Sequence, residues 1–275
     1  MKSFALVFTL LLTASAAAQP EVPVEQWTGK TILLVGAHPD DDTYSHGTLS
    51  LLQKNGNDIY VLLLTSGNVG TKDPDMTTTE LAQIRRQEEI NALAQVGIPE
   101  DHYFNLGYTD GMLEFADREE VVKRIVYYIR KLQPDVLFAF DPGKQEQRWH
   151  KSDHRSAAYL AADATRAAEW PLLFEEHIIY DKLQPRAIPE FMFYDGAEED
   201  VNTWVDISGH VDNKVNAAAQ YISQFTSAWD KYTPDIPASE KAALVERLRQ
   251  RVRMQEGKPV EGFRYYKGIP DGMGR

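Results

Sequence analysis

An α/β fold is predicted, a Rossmann-like doubly wound and mostly parallel sheet with strands and helices added towards the C-terminus, and three features of the sequence predict it. Residues 30–36 (Lys-Thr-Ile-Leu-Leu-Val-Gly) and 58–65 (Asp-Ile-Tyr-Val-Leu-Leu-Leu-Thr) are continuous apolar, β-branched runs, the pattern of strands buried on both faces. Between them Leu49 to Lys54 is a short helical pattern closed by Gly56, which completes a βαβ unit. The alternation continues with helices expected from about Thr79 to Val96 and from Arg118 to Leu132, and with a third buried strand from Asp135 to Phe140 after Pro134.

Further on, Glu175 to Tyr180, Glu190 to Tyr194 and Asn202 to Ile207 read as added strands. Val211, Val215, Ala219, Ile222 and Phe225 trace one amphipathic helix, and Ser239 to Met254 a last one. The run Arg247, Arg249, Arg251 and Arg253 on that last helix reads as a solvated face. Residues 19–275 are therefore expected to form one domain with a helical extension over about residues 208–275.

The first 18 residues stand apart. Lys2 gives a positive start, Phe4 to Leu12 form a short apolar run and Ala16-Ala17-Ala18 ends it, the pattern of a secretory signal cleaved after Ala18. That run is shorter than the ~20 residues that cross a bilayer, and no other stretch is long and apolar enough, so an exported, periplasmic or secreted protein without stable membrane insertion is expected. The formal charge is −12, and −13 once Lys2 leaves with the signal, which argues against nucleic acid or an anionic membrane as partner. There is no cysteine, so any metal must be held by His, Asp or Glu.

Ligands of a doubly wound sheet bind beyond the carboxyl ends of its strands, where the loops at 37–47, 66–78 and 141–153 should converge. The first of these holds His38-Pro39-Asp40-Asp41-Asp42, three successive carboxylates whose repulsion a cation would relieve. Another follows the 135–140 strand and leads into His150-Lys151-Ser152-Asp153-His154, so three of the seven histidines lie in two strand-end loops. A catalytic zinc site wants three N or O ligands and an open position, and His38, Asp41 and His154 supply that set. His46, His102, His177 and His210 fall in no such arrangement and read as structural or surface groups, while Trp149 reads equally as a core or rim aromatic and as a ring that could stack on a ligand.

At Ala37-His38-Pro39-Asp40-Asp41-Asp42 the sequence resembles the GlcNAc-phosphatidylinositol de-N-acetylase-like (PIG-L or LmbE-like) zinc deacetylases, whose hallmark is Ala-His-Pro-Asp-Asp-Glu. The resemblance implies zinc on His38, Asp41 and His154, or another divalent metal such as Fe²⁺, with Asp40 as general base. The second family motif, His-x-Asp-His, implies that Asp153 orients a neighbouring histidine and that His150 aids the oxyanion or leaving group. The family's Arg-x-x-Glu and Leu-Gly-x-x-Asp-Gly patterns match Arg85 with Glu88 and Leu106 to Gly111, which implies Arg85 and Asp110 as substrate contacts. Glu88 interrupts an apolar row on its helix, and Arg85 on nearly the same side is its expected partner.

Two departures stand out. Asp42 replaces the family's Glu, and His150 and His154 are four residues apart instead of three. That spacing also suits a metalloprotease helix, but Lys151 stands where such a motif needs its glutamate base. The activity implied by the resemblance is removal of acetate from an N-acetylglucosamine-type sugar, carried on a small molecule or glycan. The alternatives are a zinc hydrolase of another amide or ester, and a secreted sugar-binding protein without turnover; a pure binder has no need of a base such as Asp40 beside its metal.

Overall fold

The computed structural model describes residues 19–143 and 151–268. The expected signal segment, Trp149 and His150 lie outside the described residues. Eight strands are present among those described: β1 (Thr31–Gly36), β2 (Asp58–Thr65), β3 (Tyr103–Tyr108), β4 (Val136–Phe140), β5 (Glu190–Tyr194), β6 (Thr203–Asp206), β7 (Met254–Gln255) and β8 (Lys258–Lys267). Their order is β3-β2-β1-β4-β5-β8-β6, with β7 paired to β8. The first five run parallel, and β8 is antiparallel to both β5 and β6.

The continuous apolar runs explain the centre of the sheet, since Ile32 to Val35 of β1 and all of β4 are fully buried by helices on both faces. Helices α1 (His46–Lys54) and α2 (Thr78–Val96) make the crossovers to β2 and β3, and α3 (Arg118–Leu132) and α4 (Ser152–Ala168) those to β4 and β5. The strand order reverses between β1 and β4, and right-handed crossovers therefore put the two helix pairs on opposite faces. Ligands bind at that switch point, outside the carboxyl ends of β1 and β4.

Four expectations change. Glu175–Tyr180 is no strand, for α5 (Glu176–Ile179) is a helical turn there, with Ile179 48% and Tyr180 79% exposed, so the apolar run has no sheet to pack on. The helix through Val211 and Phe225 breaks into α6 (Val211–Ala218) and α7 (Ile222–Phe225), because Tyr221 turns inward and is fully buried. The last helix, α8 (Ala238–Gln250), stops before Met254, which belongs to β7. The C-terminal part is thus more than a helical extension, since its ten-residue β8 stands inside the sheet between β5 and β6.

Strand β8 reads poorly in sequence because polar residues interrupt it, yet each is matched. Buried Glu261 accepts from the amides of Gly47 (2.9 Å) and Thr48 (2.7 Å) at the start of α1, and buried Arg264 donates through Nε to Asp141 Oδ2 at 2.8 Å. These contacts fix the exits of β1 and β4 that carry the site. No described helix is long and apolar enough to cross a membrane.

Candidate metal and active site

At the end of β1 the chain folds back so that Asp41 Oδ2 accepts the amides of Ala37 (3.0 Å) and His38 (2.6 Å). This turns the second carboxylate oxygen outward, 3.2 Å from Nε2 of His154. His154 stands in the first turn of α4, its ring stacked on Phe140 with centroids 4.3 Å apart, and β4 therefore sets where that nitrogen points. Candidate ligand atoms of His38, Asp41 and His154 all lie within 4.8 Å of one another, and all three residues are buried. Nε2 of His154 is buried and makes no hydrogen bond among the described residues. An unbonded imidazole nitrogen beside a carboxylate and a second imidazole is the donor set of a zinc site, so the residues fit that metal.

The ring of His38 is held from both sides. Its Nδ1 is 3.3 Å from Asp41, while Nε2 faces Asp110 at 3.0 Å and Asp153 at 3.2 Å. Asp153 also accepts the amides of Gly111 (2.7 Å) and Leu113 (3.1 Å), which tie the β3–α3 loop to α4. Carboxylates behind a metal-binding histidine fix its tautomer and orientation. Burial disfavours the imidazolium of His38, but Asp41, Asp110 and Asp153 outweigh it and hold the pKa well above the ordinary value. Burial likewise opposes ionisation of Asp41, yet His38 and His154 keep its carboxyl well below the usual range.

Asp40 has a φ of 126°, a strained value for a residue with a side chain, and it is neither at the metal-ligand cluster nor fully enclosed. Desolvation raises its pKa to about 6, with Arg85 opposing and Asp41 adding to the shift. The Arg85 guanidinium is 3.1 Å from Asp40 Oδ1 and donates to the carbonyls of Gly67 and Pro39. It is also 4.0 Å from Asp110. The expected Arg85–Glu88 pair does not form. Glu88 instead accepts from Ser223 N at 2.8 Å and Oγ at 2.6 Å, because α7 brings a better donor to it than the outward-reaching arginine.

Asp42, in place of the family's Glu, reaches His46 Nε2 at 2.6 Å and the Tyr221 hydroxyl at 3.1 Å, all fully buried. The same hydroxyl is 2.9 Å from Glu89, and one proton cannot serve both acceptors. Burial, then Asp42, push the Glu89 pKa well above its ordinary value.

A cavity of about 320 Å³ opens over these groups, walled by His38, Asp40, Asp41, Arg85, Asp110 and His154. The site residues predicted from sequence thus come together, apart from His150, which lies outside the described residues, and Asp153, which stands behind His38. Tyr44, Lys151, Gln224, Phe225 and Trp229 complete the wall. Nothing in the sequence singled them out as site residues, since Gln224, Phe225 and Trp229 arrive from a segment with no chemical motif of its own.

The PIG-L family, described as GlcNAc-PI de-N-acetylase, matches residues 33–165. Diacetylchitobiose deacetylase of Thermococcus kodakarensis is 31% identical over 87% of this chain and 82% of its own. A 1D-myo-inositol 2-acetamido-2-deoxy-α-D-glucopyranoside deacetylase of Kineococcus radiotolerans is 26% identical over 74% of this chain and 72% of its own. Among solved structures, the N,N'-diacetylchitobiose deacetylase of Pyrococcus horikoshii superposes with a TM-score of 0.72 at 26% identity, covering 87% of this chain and 85% of that one. The strand-end cluster, the α/β sheet and these similarities together identify the chain as a member of the PIG-L family of N-deacetylases.

Proposed function

We propose that this protein is an exported, zinc-dependent hydrolase that removes the N-acetyl group from an N-acetylglucosamine-type sugar and releases acetate. The observation that carries the reading is the buried His38, Asp41 and His154 cluster with Asp40 beside it. A zinc ion held there would supply Lewis acidity and lower the pKa of a water to about 7.

The protein's own groups account for the rest. Asp40 accepts the proton of the attacking water and returns it to the departing nitrogen, so that water and the acetamide become acetate and a free amine. Arg85 keeps the Asp40 carboxylate in place. Asp110 and Asp153 hold His38 in one orientation. Arg85 and Asp110, on the cavity wall, are the proposed sugar contacts.

The test is acetate release from a panel of acetamido sugars, with elemental analysis of the same samples. Wild type should carry one zinc per chain and release acetate, whereas His154→Ala should lose both metal and turnover. Equal metal content in the two would remove His154 from the site.

A further inference from the structure

Deacetylation puts a new negative charge into a cavity that already holds three carboxylates. Asp40, Asp41 and Asp110 stand on its wall, and Arg85 and Lys151 are the two arginine or lysine side chains there among the described residues. As water adds to the acetamide carbon, the carbonyl oxygen becomes an anion, which those carboxylates repel and a positioned cation stabilises.

Arg85 is already engaged. It is 2% exposed, its guanidinium donates to the carbonyls of Gly67 and Pro39, and it lies 3.1 Å from Asp40. Lys151 is the opposite case. It is exposed, and its side chain makes no hydrogen bond or ion pair among the described residues, so its ammonium keeps three donors for a ligand. Its charge nevertheless reaches the reacting groups, since it favours the ionised form of Asp40.

The backbone fixes where this ammonium starts from. Lys151 is the N-cap of α4, and its carbonyl accepts the amide of Arg155 at 3.0 Å, closing the helical turn that carries Asp153 and His154. Its place in the sequence agrees. Lys151 precedes His154 by three residues, the separation of the two histidines in His-x-Asp-His, whereas His150 precedes it by four. An ammonium on a flexible stem thus stands where that motif has an imidazole.

We infer that Lys151 is a catalytic residue of the deacetylation, its ammonium donating a hydrogen bond to the carbonyl oxygen as that oxygen becomes anionic. The inference rests on the deacetylase reading above and adds a group to its site. The water oxygen bonds to the acetamide carbon while the C=O pair moves to oxygen and one water proton passes to Asp40. Lys151 holds the oxyanion without giving up its own proton. The pair then re-forms C=O, the C–N bond breaks and the nitrogen takes the proton from Asp40, which leaves acetic acid, ionised to acetate, and the amine.

The test uses zinc-loaded protein and two readouts: acetate release from acetamido sugars, and calorimetric binding of glucosamine carrying a methylphosphonyl group on its nitrogen, a tetrahedral anion that imitates the oxyanion. Lys151→Met should lower kcat by about 10²-fold and weaken the analogue by a similar factor, the usual contribution of one oxyanion donor, while zinc content, KM and melting temperature stay near wild type. Lys151→Arg, which keeps the charge and a donor, should recover part of both losses. Wild-type affinity for the analogue in Lys151→Met overturns the assignment whatever the rate, as does a loss confined to His150→Ala, and either result leaves the deacetylase reading standing. Analogue binding that depends on Lys151, without acetate from any sugar, keeps the assignment and overturns that reading.

Discussion

Asp40 and Asp41 are neighbours in sequence with opposite surroundings, and the difference can be measured. Asp41 is locked by two backbone amides against two imidazoles, while Asp40 faces a cavity and an arginine. Asp40→Asn should keep the metal and lower kcat by roughly 10²–10⁴, about 3–5 kcal/mol of barrier. Full activity with zinc retained would dismiss Asp40 as the base. Glu88 offers a test by pH. Burial raises its pKa from 4.5 to about 7, against the pull of Ser223 and Arg85. The folded protein therefore binds this proton more tightly than the unfolded chain. That contribution to stability is complete below about pH 4.5 and lost as pH rises through 7, on the order of 3 kcal/mol in all. Glu88→Gln cannot titrate, so its melting temperature should gain on wild type between pH 5 and pH 8; a constant difference would refute the shift. The metal-ligand candidates were legible in sequence because His38 and Asp41 stand directly after one apolar run and His154 ends a second histidine-rich segment that follows another. Gln224 and Phe225 were not, because their place in the wall depends on how α7 packs against α2.

At the scale of elements, the β2–α2 loop shows how backbone and side chain depend on one another. Gly67 has a φ of 61°, and a Cβ there would fall 2.4 Å from the Arg85 guanidinium. Gly67→Ala should therefore cost ~1–3 kcal/mol in backbone strain and push Arg85 off Asp40. Calorimetry and acetate-release kinetics check it, with Tm lowered and kcat/KM reduced by about tenfold or more. Wild-type kinetics in that variant would show that Arg85 does not hold the base. Strands β1, β2 and β4 were readable because helices cover both of their faces, which requires uninterrupted apolar sequence. Strand β3 was missed, for only Tyr103 and Leu106 of its six residues are buried. Strand β8 was missed because Glu261, Gly262 and Arg264 break its pattern, and their partners come from distant positions. Gly262 is needed there, since a Cβ would meet the Trp204 ring at 2.5 Å.

Over the whole molecule the reacting groups come from residues 38–154, and much of the cleft's remaining wall from residues after 190. On the proposed reading, chemistry and selectivity would be carried by different parts of the chain, as expected where one fold serves many substrates. The proposed export predicts a mature N-terminus at or near Gln19, which N-terminal sequencing of the exported form decides. A soluble cytosolic protein retaining Met1 would overturn it. Export also bears on the position of β8 between β5 and β6. A polypeptide synthesised from its N-terminus exposes β5 and β6 before the strand that joins them exists, so the sheet cannot close until residues 258–267 have emerged. Under the proposed export, such late closure would be an advantage for a chain that crosses a membrane unfolded, since it would keep the nascent protein open until residues 258–267 have emerged.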